Sequence, residues 1–435
     1  MTHAGRPERV LENGALARVE GEGALRVEIN AGRVTDVQLR IYEPPRFFEA
    51  LLRGRSYTEP PDITARICGI CPVAYQMSAC VAIEAACGMM LEGPLRDLRR
   101  LMYCGEWIES HTLHIHLLHA PDFFDAESGI ALAQRFPDEI KRGLRLKKHG
   151  NELLEVLGGR AIHPVNVAVG GFYRAPRREE FTRLIPNFEW GLQAAIDAAR
   201  WVASFPFPDH SQPYEFVALS HPDEYPLNAG RVISSRGLDI AVTDYETAFA
   251  EMQVPHSTAL QSLRTSDGTS YFVGPLARVN LNRDRLAPTA RRLADELLPE
   301  SPCSNLFRSI VARALEVVHA YEESLDILRN YAPPKVARIK YDYRAGSGCA
   351  ATEAPRGLLY HRYAVDAAGR VTLAKIIPPT SQNQAQIEAD LTAYLPHVLQ
   401  ADDAQTSLAC ERLVRSYDPC ISCSTHFLQV RIERE

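Results

Sequence analysis

Two Cys-x-x-Cys pairs stand at opposite ends of this chain, Cys68 and Cys71 in RICGICP and Cys420 and Cys423 in DPCISCSTH. If the four thiols act together, Cys71 and Cys423, 352 residues apart, must meet, and the chain must close on itself around them. A lone Cys-x-x-Cys at a helix start reads as a thiol redox motif, because a helix N-terminus depresses the thiol pKa. Four thiolates together invite structural zinc first and an iron–sulfur cluster next. Zinc pairs, however, usually sit close together in small modules, and a chain this large does not need zinc to fold.

The other cysteines, at 80, 87, 104, 303, 349 and 410, stand singly in mostly apolar contexts and read as small buried hydrophobes. A disulfide framework is not expected in so long a chain without an apolar secretory segment at its N-terminus. No run is apolar for long enough to span a bilayer, so a cytoplasmic location is expected. With 46% apolar and 23% charged residues the composition excludes disorder. A net charge of −6 without a long basic run excludes a nucleic-acid footprint.

The pattern predicts one mostly helical body, α+β in class: a core bundle of long helices with small antiparallel hairpins at its edges. Alternation over 15–42, around Asn30-Ala31-Gly32, predicts a hairpin. Helices are expected over 72–92, 94–119, 133–157, 178–204, 245–262, 285–297, 303–331 and 383–399. Strands are expected at 269–274, 337–343 and 358–376. No linker or repeat divides the chain, so residues 1–435 are read as one domain. Its parts are the hairpin, a helical body over 72–331, a β-rich segment over 337–376 and a metal-binding segment over 410–426.

Six ordered stretches resemble the large subunit of nickel–iron hydrogenases. They are RVEGEG at Arg18–Gly23, RICGIC at Arg66–Cys71, HTLHIHLLHAPD at His111–Asp122, GGRAIHPVNVAVGGF, EAPRG at 353–357 and DPCISCSTH at Asp418–His426. The resemblance implies that Cys68 and Cys420 bind nickel terminally, while Cys71 and Cys423 bridge it to an iron carrying carbon monoxide and cyanide. Thiolates are soft, strongly donating ligands that suit these metals. It also implies reversible heterolytic cleavage of hydrogen. That chemistry needs a Lewis acid and a nearby base, here the Cys420 thiolate followed by Glu20.

Arg356 would overhang the metals, oriented by Asp122 and Asp418. Thr380 and Ser381 fall where the family hydrogen-bonds a cyanide. Glu49 and His426 match ligands of a separate magnesium ion. The histidines at 111, 114, 116 and 119 read as satisfied core histidines, despite helical spacing that puts His111 and His114 on one face. Standing alone, Glu20 would be a strand-end carboxylate, Arg356 a turn arginine and Asp418 a turn residue.

Tyr75 stands where many exported members carry a histidine, which points to the cytoplasmic, bidirectional class coupled to NAD(P). No Gly-rich dinucleotide loop is present, so any nicotinamide or flavin would sit on partner diaphorase subunits. No further cysteines show cluster spacing, so electrons would leave through an iron–sulfur small subunit. The resemblance also implies a maturation protease and nickel-insertion proteins, with the tail at 427–435 removed after His426. Two other readings stay open: a hydrogen-sensing subunit with little turnover, and a structural tetrathiolate zinc protein.

Overall fold

In the computed structural model, residues 9–44, 46–341 and 343–425 are described. Strands β1 (Arg9–Asn13), β2 (Gly23–Asn30) and β3 (Arg33–Ile41) form an antiparallel sheet in the order β1-β2-β3. Leu25 faces Leu39 and Val27 faces Val37 across it, so one side of the pleat is apolar and buried. Ala31 and Gly32 both take positive φ at the hairpin tip, the handedness a two-residue turn needs to follow the strand twist.

The body is built on α1 (Pro72–Ala86), α2 (Gly93–Leu113), α3 (Pro137–Gly158), α4 (Ile185–Ala203) and α5 (Ser309–Asn330). α1 is buried on nearly every side, as its Ala-, Met- and Cys-rich sequence requires. α2 lies against α3 and α5, and α5 against α4. α2 and α3 approach closely where Gly105 faces Gly150; a Cβ on Gly150 would lie 2.6 Å from the Gly105 carbonyl oxygen. α2 ends in a widened, π-helical turn at His114–His119, followed by a tight 3-10 turn at Ala120–Phe123.

Strands β4 (Gly346–Ala354), β5 (Gly357–Val365) and β6 (Val371–Ile377) form a second antiparallel sheet, packed on α1. Then come α6 (Pro379–Val398) and α7 (Asp403–Ser416), which lead into the terminal ligand segment. One contiguous buried cluster runs from Leu11 to Cys423 and includes all four cysteines of the two pairs.

The mainly helical class with small sheets is what the pattern predicts. The helix expected over 245–262 is absent. One turn, Tyr245–Ala248, gives way to antiparallel strands Phe249–Gln253 and Leu260–Arg264. Pro255 lies in the middle of that stretch and cannot sit in a helix interior. The expected strands at 269–274 and 337–343 reduce to isolated bridges at Phe272 and Arg338. Elsewhere prolines divide what periodicity runs together: Pro137 opens α3, and Pro186 opens α4 after a separate turn at Arg178–Thr182. No helix among the described residues is long and apolar enough to cross a membrane.

Candidate metal centre

The first pair is built into the core. Thr64 closes the short helix Pro60–Thr64 and donates to the Pro60 carbonyl at 2.8 Å. Cys68 then follows in extended backbone, and Cys71 is the residue before Pro72, the first of α1. Cys68 Sγ accepts from the Ile70 and Cys71 amides at 3.3 and 3.4 Å. The first free amides of α1 are met by a fully buried carboxylate from α2. Glu106 accepts from Val73 at 2.6 Å and from Ala74 at 3.1 Å. Burial, and then the nearby Glu109, push the Glu106 carboxyl well above its ordinary range.

The second pair is held differently. Asp418 sits at φ 54°, in the left-handed region, and turns the chain out of α7 into Pro419. The Cys420 amide donates to Thr380 Oγ1 at 3.0 Å, and the Ile421 amide to the Glu20 carbonyl at 2.9 Å. Glu20 Oε2 accepts from the Ser422 amide at 3.1 Å and lies 3.0 Å from Cys420 Sγ. The approach depends on Gly21, at φ 88°, where a Cβ would meet the Ser422 nitrogen at 2.8 Å. Arg46 joins the two halves, since its Nη2 donates both to the Ile67 carbonyl and to the Ser422 carbonyl.

These two limbs bring the four sulfurs within 4.8 Å of one another, all buried. Cys68 Sγ lies 3.5 Å from Cys420 Sγ, and Cys71 Sγ 3.8 Å from Cys423 Sγ. Burial, then crowding by the other sulfurs, pushes the Cys420 thiol well above its ordinary value, whereas hydrogen bonding from Cys420 first of all holds Cys68 well below. Arg356 lies near this cluster, 3% exposed. Its Nε donates to the Asp418 carbonyl at 2.8 Å and its Nη2 to Asp418 Oδ1 at 3.2 Å. Burial works against its charge, but Asp418 and then the sulfurs of Cys420, Cys71 and Cys68 more than offset this and raise its pKa. A second buried arginine, Arg313, stands behind Asp418 and donates to the Ser416 carbonyl at 3.3 Å.

The donor set fits a soft transition-metal centre. Four thiols converge, and Arg356 Nη1 and the Ser381 hydroxyl are buried without a hydrogen-bond partner among the described residues. Tyr75 is buried beside Cys423, whose sulfur adds to burial in raising the phenol.

Residues 46–137 and 264–426 match the family model described as nickel-dependent hydrogenase, a span that contains all four cysteines. The chain is 32% identical over 419 residues to sulfhydrogenase 1 subunit alpha of Pyrococcus furiosus, covering 95% of this chain and 97% of that one. The chain belongs to the nickel-dependent hydrogenase family. It is also 27% identical over 463 residues to the NAD-reducing hydrogenase HoxS subunit beta of Cupriavidus necator, covering 95% of this chain and 94% of that one. A crystal structure of an NAD+-reducing NiFe-hydrogenase in its H2-reduced state superposes with a TM-score of 0.86 at 26% identity, covering 97% of this chain and all of that one. The chain is thus the large, catalytic subunit of a hydrogenase, and the four clustered cysteines are its candidate metal ligands.

Of the residues singled out by sequence, the structure gathers Cys68, Cys71, Cys420, Cys423, Glu20, Arg356, Asp418 and Thr380 in one place, with Ser381 next to Thr380. One expectation needs correction. Asp122 does not hold Arg356: its carboxylate bonds to Arg18, Arg415 and His119. Glu49 is half-buried on the short helix Phe48–Leu52 and accepts from the Ile376 amide at 2.7 Å. His426 lies outside the described residues. The four spaced histidines are buried and internally bonded, His111 to Glu316 and His114 to the Arg415 carbonyl. Sequence reasoning misses Glu106, Arg46 and Arg313. Their roles depend on contacts across the fold, although Arg46 stands only three residues before Glu49.

Proposed function

We propose that this chain splits and forms hydrogen at a nickel–iron centre that Cys68, Cys71, Cys420 and Cys423 would hold. The observation that carries this reading is Glu20 Oε2 at 3.0 Å from Cys420 Sγ, at the edge of the four-sulfur cluster. When bound, the metal pair supplies Lewis acidity and capacity for two electrons. The Cys420 thiolate takes the first proton and Glu20 receives it, since a carboxylate at hydrogen-bond distance is placed as a base. Arg356 lends positive charge to the sulfur cluster, and Asp418 orients it through two hydrogen bonds. Thr380 steadies the Cys420 backbone, and the Ser381 hydroxyl beside it would be available to hydrogen-bond a cyanide ligand of the iron.

Electrons pass to an iron–sulfur small subunit and on to NAD(P) through flavin-bearing partners, a reading supported by the likeness to NAD-reducing relatives. The family resemblance of the motifs further implies a cytoplasmic location, a magnesium ion bound through Glu49 and His426, and processing of the tail at 427–435 by a maturation protease. Infrared spectra with elemental analysis test the centre: metal-bound carbon monoxide and cyanide bands with nickel and iron are expected, and zinc alone would sink the reading. Glu20→Gln should keep those bands while slowing hydrogen–deuterium exchange with water by at least ~100-fold, the usual size of a positioned base.

A further inference from the structure

We propose that Asp122 is a positioning residue that sets Glu20 against Cys420, acting through Arg18 and Arg415 and not through Arg356. The carboxylate is 6% exposed and fully engaged. Its Oδ1 accepts from Arg18 Nη2 at 2.6 Å and from Arg415 Nη2 at 2.8 Å. Its Oδ2 accepts from Arg415 Nε at 2.8 Å and pairs with His119 Nδ1 at 3.0 Å. Four interactions use the acceptor sites of both oxygens, which leaves none for another guanidinium.

Each arginine also grips backbone. Arg18 Nη1 donates to the Leu118 carbonyl at 2.8 Å, and Arg415 Nη1 to the Ala17 carbonyl at 2.9 Å. Asp122 thereby ties together two segments far apart in sequence at fixed separation. One reaches Glu20 two residues after Arg18; the other reaches Cys420 five residues after Arg415. Just beyond the clamp the two segments pair, with Glu20 bridged to Cys420 and the Ile421 amide donating to the Glu20 carbonyl at 2.9 Å. Arg18 itself is held at φ 59°, a left-handed conformation that a non-glycine residue keeps only where its surroundings over-determine it. His114 and the Asp418 amide both bond the Arg415 carbonyl, so the clamp is continuous with the turn into the ligand segment.

The catalytic half of this inference rests on Glu20 as the proton acceptor; the clamp does not. The test is amide hydrogen exchange read by mass spectrometry on the purified enzyme, for the wild type, Asp122→Asn and Arg356→Lys. Asp122→Asn should lower protection at 15–23 and 415–425 together by ~10-fold or more, with α3 and α4 unchanged. Arg356→Lys should leave 15–23 as in the wild type. Loss at only one segment, or at neither, would overturn the clamp, as would equal loss at 15–23 in Arg356→Lys. Should Asp122→Asn not fold, Arg18→Lys and Arg415→Lys carry the same expectation, each loosening both segments.

Infrared bands in Asp122→Asn should stay at wild-type positions; a shift matching that of Arg356→Lys would assign Asp122 to Arg356 and overturn the proposal. In isotope exchange, Asp122→Asn should add nothing to Glu20→Gln, and full additivity would count against the clamp. A wild-type rate in Glu20→Gln would instead refute Glu20 as the proton acceptor, while the amide arms still judge the clamp.

Discussion

The two ligand limbs carry the same Cys-x-x-Cys spacing and are held by opposite means. Cys68 and Cys71 belong to the start of α1, a helix buried on nearly every side, and their surroundings come from neighbouring core helices. Cys420 lies just before a helix of only four residues, Ile421–Ser424, and Cys423 lies within it. That limb is pinned by a few hydrogen bonds made with Glu20, Arg46 and Thr380, each far away in sequence. The first limb is part of the packed core and the second is a latch laid onto it. Core elements open only with the whole fold, whereas elements held by a few polar contacts open locally. A large protein can therefore present half of a metal site ready-made and add the other half last.

The strongest way to break this comparison is to remove a ligand from each side. Cys71→Ser and Cys423→Ser should each cut nickel content by more than ~10-fold, a loss at least as large as disturbing outer-sphere partners causes. Elemental analysis reads that loss. The difference should lie in the protein: Cys423→Ser should loosen 415–425 alone in amide exchange, and loosening of α1 as well would show the limbs to be equivalent.

Next in size is Glu106. Glu106→Leu orphans the Val73 and Ala74 amides at about 1–3 kcal/mol for each buried donor, so a loss of about 2–6 kcal/mol is expected in denaturant unfolding. Glu106→Gln, which keeps an acceptor oxygen, should recover most of it. Thr380→Val is the counterpart on the latch. It orphans the Cys420 amide alone and should cost about 1 kcal/mol, with the change confined to the terminal segment.

A change of pH probes the same comparison without a substitution. Burial first of all lowers His111, His116 and His119 to about 4, so the fold keeps them neutral. Above about 6.5 this costs nothing. Between about 6.5 and 4 the unfolded chain binds protons that the folded chain refuses, so stability falls as pH falls. His119 touches Ser416 at the foot of the latch, so amides at 415–425 should lose protection at a higher pH than those of α1. Simultaneous loss would remove the distinction.

Much of the bundle was legible because buried helices write their period into the chain and prolines mark where they begin. The 245–262 stretch was misread because its apolar spacing suits a helix locally, and Pro255 outweighs it. The strands at Val217–Ser220 and Arg231–Ser234 are too short to show a period. The four cysteines and Glu20 were legible from motifs of fixed spacing. The arginine that Asp122 holds was not, because Arg18, Arg356 and Arg415 are alike as residue types and only the fold chooses among them. Glu106 was invisible for a related reason: a glutamate in a helix ordinarily reads as a solvated one.

The widened turn at His114–His119 shifts the phase of everything that follows it in that helix. Such a turn holds one residue more than an ordinary helical turn, and each residue advances a helix by about 100°. Deleting one residue there would let the helix close normally and keep Asp122 on the same side of its axis, whereas closing the turn with all its residues kept would swing Asp122 away from both arginines. Comparing related chains in this stretch therefore demands a match in length as well as in residue type. An alignment that slips by one position here would pair Asp122 with a side chain facing elsewhere.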